Sequence, residues 1–241
     1  DVVQDTHEDP VLQEAQEILG EQAAQMIEKV RFNVLKAGTN VHYGNGDARD
    51  EVNTVISRAI QRRVTRSLKR QNARPVTKIV RSTPNYGTEN VAPAFIGLIH
   101  PDLEGDVRNM SGFTPAEDYG SITPYPSEVG KVEDVRYVSS TIFESWADGG
   151  ATADPDSTGS NTLLSTTGTS SDVYPVLYVA ANSYGIVPLK GKGSITPMVV
   201  NPKPSDSDPL AQRGHASWKS MQTAVILNDL WMARLEVAAS V

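Results

Sequence analysis

Residues 9–38, DPVLQEAQEILGEQAAQMIEKVRFNVLKAG, read as one long helix. Val11, Ala15, Ile18, Leu19, Ala23, Met26, Ile27, Val30 and Val34 recur at steps of three and four, the spacing that gives a helix one buried stripe. Asp9 can cap free backbone N–H groups, Pro10 suits the first helical position, and Gly38 can close the helix in the left-handed conformation. Glu14, Glu17 and Glu21 precede Lys29, Arg31 and Lys36, which complements the helix dipole. At about 1.5 Å per residue the rod is on the order of 40 Å long. Globular helices usually run about 8 to 20 residues, so this one is expected to span a domain.

Beyond Gly38, Val41 and Tyr43 suggest a short strand, and residues 44–47 a turn. A second helix is expected from Glu51 to Gln71. Val52, Ile56, Ile60, Val64 and Leu68 step by four, while Arg58, Arg62, Arg66, Lys69 and Arg70 gather on another side. That basic stripe is either a surface for phosphate or an acidic partner, or a solvated or subunit-facing helix side.

Further on, Val76–Arg81 reads as a strand, 83–93 as a loop, and Ala94–Ile99 as a buried strand. Asp102 is expected to cap a short helix holding Leu103 and Val107. Residues 132–145 alternate enough for a strand with a polar face. Residues 148–172, nearly all Gly, Ser, Thr, Asp and Asn, are expected to be a mobile surface loop without a packed core. Val173–Ala181 suits a buried strand or short helix, with strands again at Tyr184–Leu189 and Ile195–Val200. The last stretch reads as a β-hairpin turning at Asn228 and Asp229 and packing Trp218 and Trp231, with a terminal helix as the alternative.

Composition narrows the function classes. The 241 residues are 39% hydrophobic, enough for a real core, and no apolar run approaches the roughly 20 residues that cross a bilayer. A net charge of −7 argues against a dedicated nucleic-acid binder, though not against a protein that encloses nucleic acid. No cysteine is present, which removes disulfides, thiolate metal sites and thiol nucleophiles. Of His7, His42, His100 and His215, only His100 lies near a carboxylate in sequence, Asp102. Asp154, Asp156, Thr158 and Gly159 imitate half a calcium loop, but Ser165 stands where the closing glutamate belongs. Gly191-Lys192-Gly193-Ser194 lacks the leading glycine of a phosphate loop. Glu133 and Asp134, adjacent in a strand, would point to opposite faces. No catalytic residue, cofactor site or metal site is therefore expected, and the work should be done by surfaces.

Five segments in order carry a family resemblance: residues 9–43; FIGLIHPDLEGDVRNMSGF at 95–113; YPSEVGKVEDVRYVSST at 125–141; VYPVLYVAANSYGIVPLKG at 173–191; and residues 208–240. The Ile99-His100-Pro101-Asp102 junction, Glu128-x-Gly130 with Arg136, and the run from Asp208-Pro209-Leu210 to Trp218-Lys219 are the most telling. Together they resemble the major capsid proteins of tailed bacteriophages. The resemblance implies an α+β class and the Hong Kong-type phage capsid fold. That fold has a peripheral domain of long spine helix and antiparallel sheet, and a mixed α/β axial domain. Residues 1–46 would then be peripheral, 47–202 axial with the 148–172 loop, and 203–241 strands returning to the peripheral domain. An N-terminal arm and extended loop, which the family carries before the spine helix, would be missing from the chain. The implied role is self-assembly into pentamers and hexamers of an icosahedral virion shell around double-stranded DNA, formed in the host cytoplasm without a membrane. Scaffolding, portal and decoration proteins are implied partners, with non-specific contact to packaged DNA. Arg58, Arg62, Arg66, Lys69 and Arg70 become candidates for facing a subunit or DNA. Two other readings compete. One is a soluble β-rich surface or adhesion module that binds a ligand through 148–172; the other is a hydrolase using His100 and Asp102.

Overall fold

The computed structural model describes residues 11–81, 87–120, 123–153, 162–188, 195–200 and 214–241, with 204, 206, 209 and 210. Asp9, Pro10, His7, the 154–159 segment and 191–194 lie outside the described residues. The chain divides into two compact units, Asp1–Val34 with Ile186–Val225, and Leu35–Gly185 with Ile226–Val241. Residues 35–46 and the last strand belong to the larger unit.

Helix α1 (Val11–Lys36), 26 residues long, lies in the smaller unit as far as Val34. Its burial is not one stripe. Ala23 is buried while Ala15, Leu19, Ile27 and Val34 are half-buried, yet Ile18 is 67% exposed and Met26 and Val30 are 46% exposed. Phe32 is buried instead, nine residues and hence about two and a half turns from Ala23, so the covered side changes along the rod. The expectation that nine apolar residues share one buried face is thereby corrected. The same unit holds two-stranded ribbons. Strand β9 (Thr196–Val200) pairs antiparallel with β10 (His215–Lys219), and β8 (Tyr184–Pro188) pairs with β11 (Gln222–Ile226), each of these two lying mostly in this unit.

The larger unit is built on a mixed sheet in the order β1-β12-β7-β3-β6-β5-β4, with β2 pairing β3. Its strands are β1 (Val41–Tyr43), β2 (Val76–Arg81), β3 (Gly87–Ile99), β4 (Phe113–Pro115), β5 (Glu128–Val132), β6 (Val135–Ser139), β7 (Val173–Val179) and β12 (Met232–Ala238). β3 pairs in parallel with β6 and antiparallel with β7, and β1 lies parallel to β12. β7 is buried at every residue, as an apolar run lying between two other strands must be. Helix α2 (Arg58–Arg70) sets Ile60, Val64 and Leu68 into a core with Phe95, Val132, Val135, Tyr137 and Leu235. Inside it Tyr137 donates to Gln61 Oε1 at 3.0 Å, Gln61 Nε2 donates to the Val132 carbonyl at 2.8 Å, and the Tyr137 and Tyr178 hydroxyls meet at 3.0 Å. Burial pushes both tyrosine hydroxyls up in pKa and keeps them neutral. Among the described residues no helix is long and apolar enough to cross a membrane.

Several local expectations change. β3 starts at Gly87, so most of the expected 83–93 loop is strand, because pairing with β2 supplies its hydrogen bonds. α2 begins at Arg58, not Glu51, because the Ser57 hydroxyl accepts the Ile60 N–H and caps the helix there. Val52 and Ile56 are buried without being helical. Gly38 does not adopt the left-handed conformation; it is needed for room, since a Cβ would sit 2.9 Å from Asp229 Oδ1 and 3.0 Å from Met232 Cε. The cap expected of Asp102 belongs to His100, whose Nδ1 accepts the Asp102 N–H at 3.3 Å ahead of the turn Pro101–Leu103 and helix α3 (Glu104–Arg108). Asp102 itself accepts the Tyr174 hydroxyl at 2.5 Å.

The terminal hairpin is also corrected. Asn228 caps the 3-10 turn Asp229–Trp231, while β11 and β12 pair with other strands rather than each other. The 148–172 segment is likewise tied down where it is described. Asp172 is fully buried and its carboxylate accepts from the Asp148 N–H and from the Thr166 N–H and hydroxyl. Leu163 and Ala153 are buried against Ala238, a small core that composition concealed.

A similar carboxylate holds the C-terminus. Buried Asp106 accepts the Ser240 N–H at 3.0 Å and its hydroxyl at 2.6 Å. Asp106→Ala is expected to lower unfolding free energy by about 1–3 kcal/mol, since it removes two hydrogen bonds to a buried carboxylate. Urea unfolding checks the loss, and hydrogen exchange should show the amide of Ser240 unprotected.

Candidate subunit-contact site on α2

The five cations singled out on α2 divide by partner. Arg58 and Arg62 both grip Glu133, with nitrogen–oxygen distances of 2.6 and 2.5 Å. Lys69 is ion-paired with Asp134. Glu133 and Asp134 form the turn between β5 and β6, with Glu133 at φ 52°, so both reach the same helix. The expectation of opposite faces fails because the pair is not within a strand. Arg63, outside the original set, donates to the Tyr43 carbonyl. Arg66 and Arg70 are exposed and have no ion-pair partner among the described residues. Together with Arg62, Thr65 and Lys69 they line a recess of about 460 Å³ that Glu133 and Asp134 close on the other side.

The hydrogen bonds from Arg62 and Arg58 lower the Glu133 carboxyl to a pKa of about 2. Its folded pKa lies below the unfolded one of about 4.3, so these ion pairs contribute fully above that pH and fade as pH falls toward the folded value. An NMR titration should find Glu133 ionised well into acid, and in Arg58→Ala/Arg62→Ala its midpoint should move up to the ordinary carboxylate range.

Two further polar clusters were not legible as units. Around the Glu128-x-Gly130 motif, Arg136 forms a two-pronged pair with Glu128 (Nε–Oε1 2.8 Å, Nη2–Oε2 2.7 Å) and donates to the Thr123 carbonyl. Glu128 also accepts the Tyr119 hydroxyl and the Tyr125 N–H, and the guanidinium lies 4.2 Å from the Tyr125 ring centroid. This fork explains the motif as a clamp on the segment before β5. Where α1 ends, fully buried Glu236 holds Arg49 at 2.7 Å and Arg234 at 2.9 Å, and Trp146 lies against Arg49 at 3.6 Å and Lys36 at 3.8 Å. Arg234 also donates to the Lys36 carbonyl, closing the helix with a cation. The Lys36 amine is pushed down in pKa by burial first, then by Arg49 and Arg234. The one sequence signal was Arg234-x-Glu236, two residues apart on a strand and so on one face.

The histidines do not converge. His42 is half-buried and its pKa is lowered by burial and Arg63; His100 caps a turn; His215 is exposed on β10. Among the described residues no three His, Asp or Glu side chains are grouped to hold a metal.

Residues 2–181 match the family described as phage capsid protein. The solved capsid of Ralstonia phage GP4 is similar over 98% of this chain and 69% of its own, at 12% identity and a TM-score of 0.63. The capsid structure of the cyanophage P-SCSP1u aligns over 100% of this chain and 70% of its own, at 14% identity and a TM-score of 0.53. The head structure of Helicobacter pylori bacteriophage KHP40 covers 96% and 69%, at 10% identity and a TM-score of 0.52. At these identities the likeness speaks for the fold. No curated protein matches the chain.

Proposed function

The chain belongs to the phage capsid protein family, and from that premise we propose that it assembles with copies of itself into the pentamers and hexamers of an icosahedral shell around double-stranded DNA. The family match is the observation that carries this reading. In it α1 is the spine helix, the smaller unit is the peripheral domain and the larger unit the axial domain. The role is structural, with no chemical step, and the chain works in the virion after assembly in the host cytoplasm. Scaffolding, portal and decoration proteins are the further partners this role calls for. Support also comes from the surface of the smaller unit. Besides Ile18, Met26 and Val30, it exposes Ile186, Val187, Met198, Val199, Val200 and Met221, each at least 42% accessible. Free two-stranded ribbons are marginal in water, and such aliphatic surface favours burial by a neighbour.

The α2 stripe is the proposed contact of the larger unit, facing a subunit or packaged DNA. Size-exclusion chromatography with light scattering, followed by negative-stain microscopy, tests the reading. Capsomers, sheets or shells are expected, and a lasting monomer at every salt concentration would overturn it. Met198→Asp/Val200→Asp, which changes two exposed positions on β9, should leave the unfolding midpoint nearly unchanged while lowering the assembled fraction severalfold.

A further inference from the structure

Helix α2 carries six of the chain's 22 Lys and Arg and none of its 29 Asp and Glu, which leaves 16 cations against 29 carboxylates elsewhere. A basic patch on an otherwise acidic molecule is complementary to another copy of that molecule. Internal pairing then selects which cations are available. Arg58 and Arg62 are held by Glu133 and Lys69 by Asp134, while Arg66 and Arg70, one turn apart on the same side, keep their guanidinium groups free of any ion pair among the described residues.

A head-to-tail contact needs two different complementary patches on each copy. The second patch is visible in the sheet. β4 is its terminal strand, and the turn Ala116–Asp118 that follows it exposes Glu117 and Asp118, which also have no ion pair among the described residues. Because β4 runs antiparallel to β5, with Phe113 opposite Val132 and Pro115 opposite Gly130, that acidic turn lies by the start of β5. The Glu133–Asp134 turn under α2 lies at its other end. The two patches are thus separated along one strand and do not neutralise each other within the chain.

Resting on the shell-subunit reading, we propose that Arg66 and Arg70 of one copy dock on Glu117 and Asp118 of the next, as the electrostatic half of a head-to-tail contact around a ring. DNA phosphates are the competing occupant, but the ion pairs to Glu133 and Asp134 leave the recess only Arg66 and Arg70 as unpaired cations among the described residues, a charge that a short two-carboxylate turn matches and a polyanion exceeds.

The test uses the full chain in three charge-reversal forms, Arg66→Glu/Arg70→Glu, Glu117→Lys/Asp118→Lys and the four changes together. Light scattering and negative-stain microscopy follow assembly across a salt series, and thermal unfolding confirms that each form folds. Each double variant should need at least about tenfold more protein to assemble, and the fourfold variant should return to within about threefold of the unchanged chain. Assembly of the unchanged chain should weaken with salt, since exposed charges are screened beyond about 8–10 Å at physiological ionic strength. Normal assembly of Arg66→Glu/Arg70→Glu overturns the proposal, and if that variant also retains less DNA the face belongs to nucleic acid. Failure of the fourfold variant to recover, despite normal folding, overturns the choice of Glu117 and Asp118. An unchanged chain that never assembles sinks the shell reading itself, a result distinct from all the others.

Discussion

Arg136→Ala is expected to destabilise the larger unit by about 3–5 kcal/mol, the usual loss when one partner of a buried ion pair is removed. The side chains of Arg136 and Glu128 are 3% and 0% exposed, so water cannot replace the missing guanidinium without opening the segment before β5. Lysine should rescue little, because one ammonium cannot reproduce the two parallel bonds to Glu128 together with the bond to the Thr123 carbonyl. Arg136→Met/Glu128→Leu separates charge from shape. With both charges gone no carboxylate is stranded, and much of the loss should return. Urea unfolding of the three variants decides the matter. A loss below about 1 kcal/mol in Arg136→Ala would mean that the fork is solvated and contributes as a surface pair does.

Glu236→Ala should cost about 3 kcal/mol, at the lower end of the same range, because its partner Arg49 is 36% exposed and can recover some hydration. The damage should be local as well as global. Without the carboxylate, the cations Arg49, Arg234 and Lys36 around Trp146 lose a buried counter-charge where α1 ends. Glu236→Gln, which keeps the shape and an acceptor, should lose less than Glu236→Ala. Unfolding midpoints rank the two, and hydrogen exchange of residues 35–38 reports whether the helix end has frayed. Equal losses in both variants would show that the charge, rather than the acceptor geometry, is what matters.

The proportion legible from sequence differs from feature to feature. The long helix was readable because period and charge order are properties of a segment and survive any tertiary setting. The strand at Val173–Val179 was readable for a related reason, since a run buried on both faces has to be apolar throughout. On α2 the basic residues were found, but not their division. Glu133 and Asp134 are more than sixty residues from the cations they hold, and nothing local says that the turn carrying them folds over that helix. The hairpin at Asn228 failed because an Asn-Asp pair serves a capped 3-10 turn as well as a hairpin, and the choice was made by β7, which takes β12 as its neighbour.

By itself the sequence determined the long rod, the apolar strands, the concentration of cations on one helix and the family to which the chain belongs. Tertiary structure alone decided which side of the rod is covered at each level, which strands pair, and that Arg58 and Arg62 rather than Arg66 and Arg70 are ion-paired among the described residues. The physical reason is range. Caps and periodicity act over a few residues, whereas burial and ion pairing depend on which distant segment arrives to displace water.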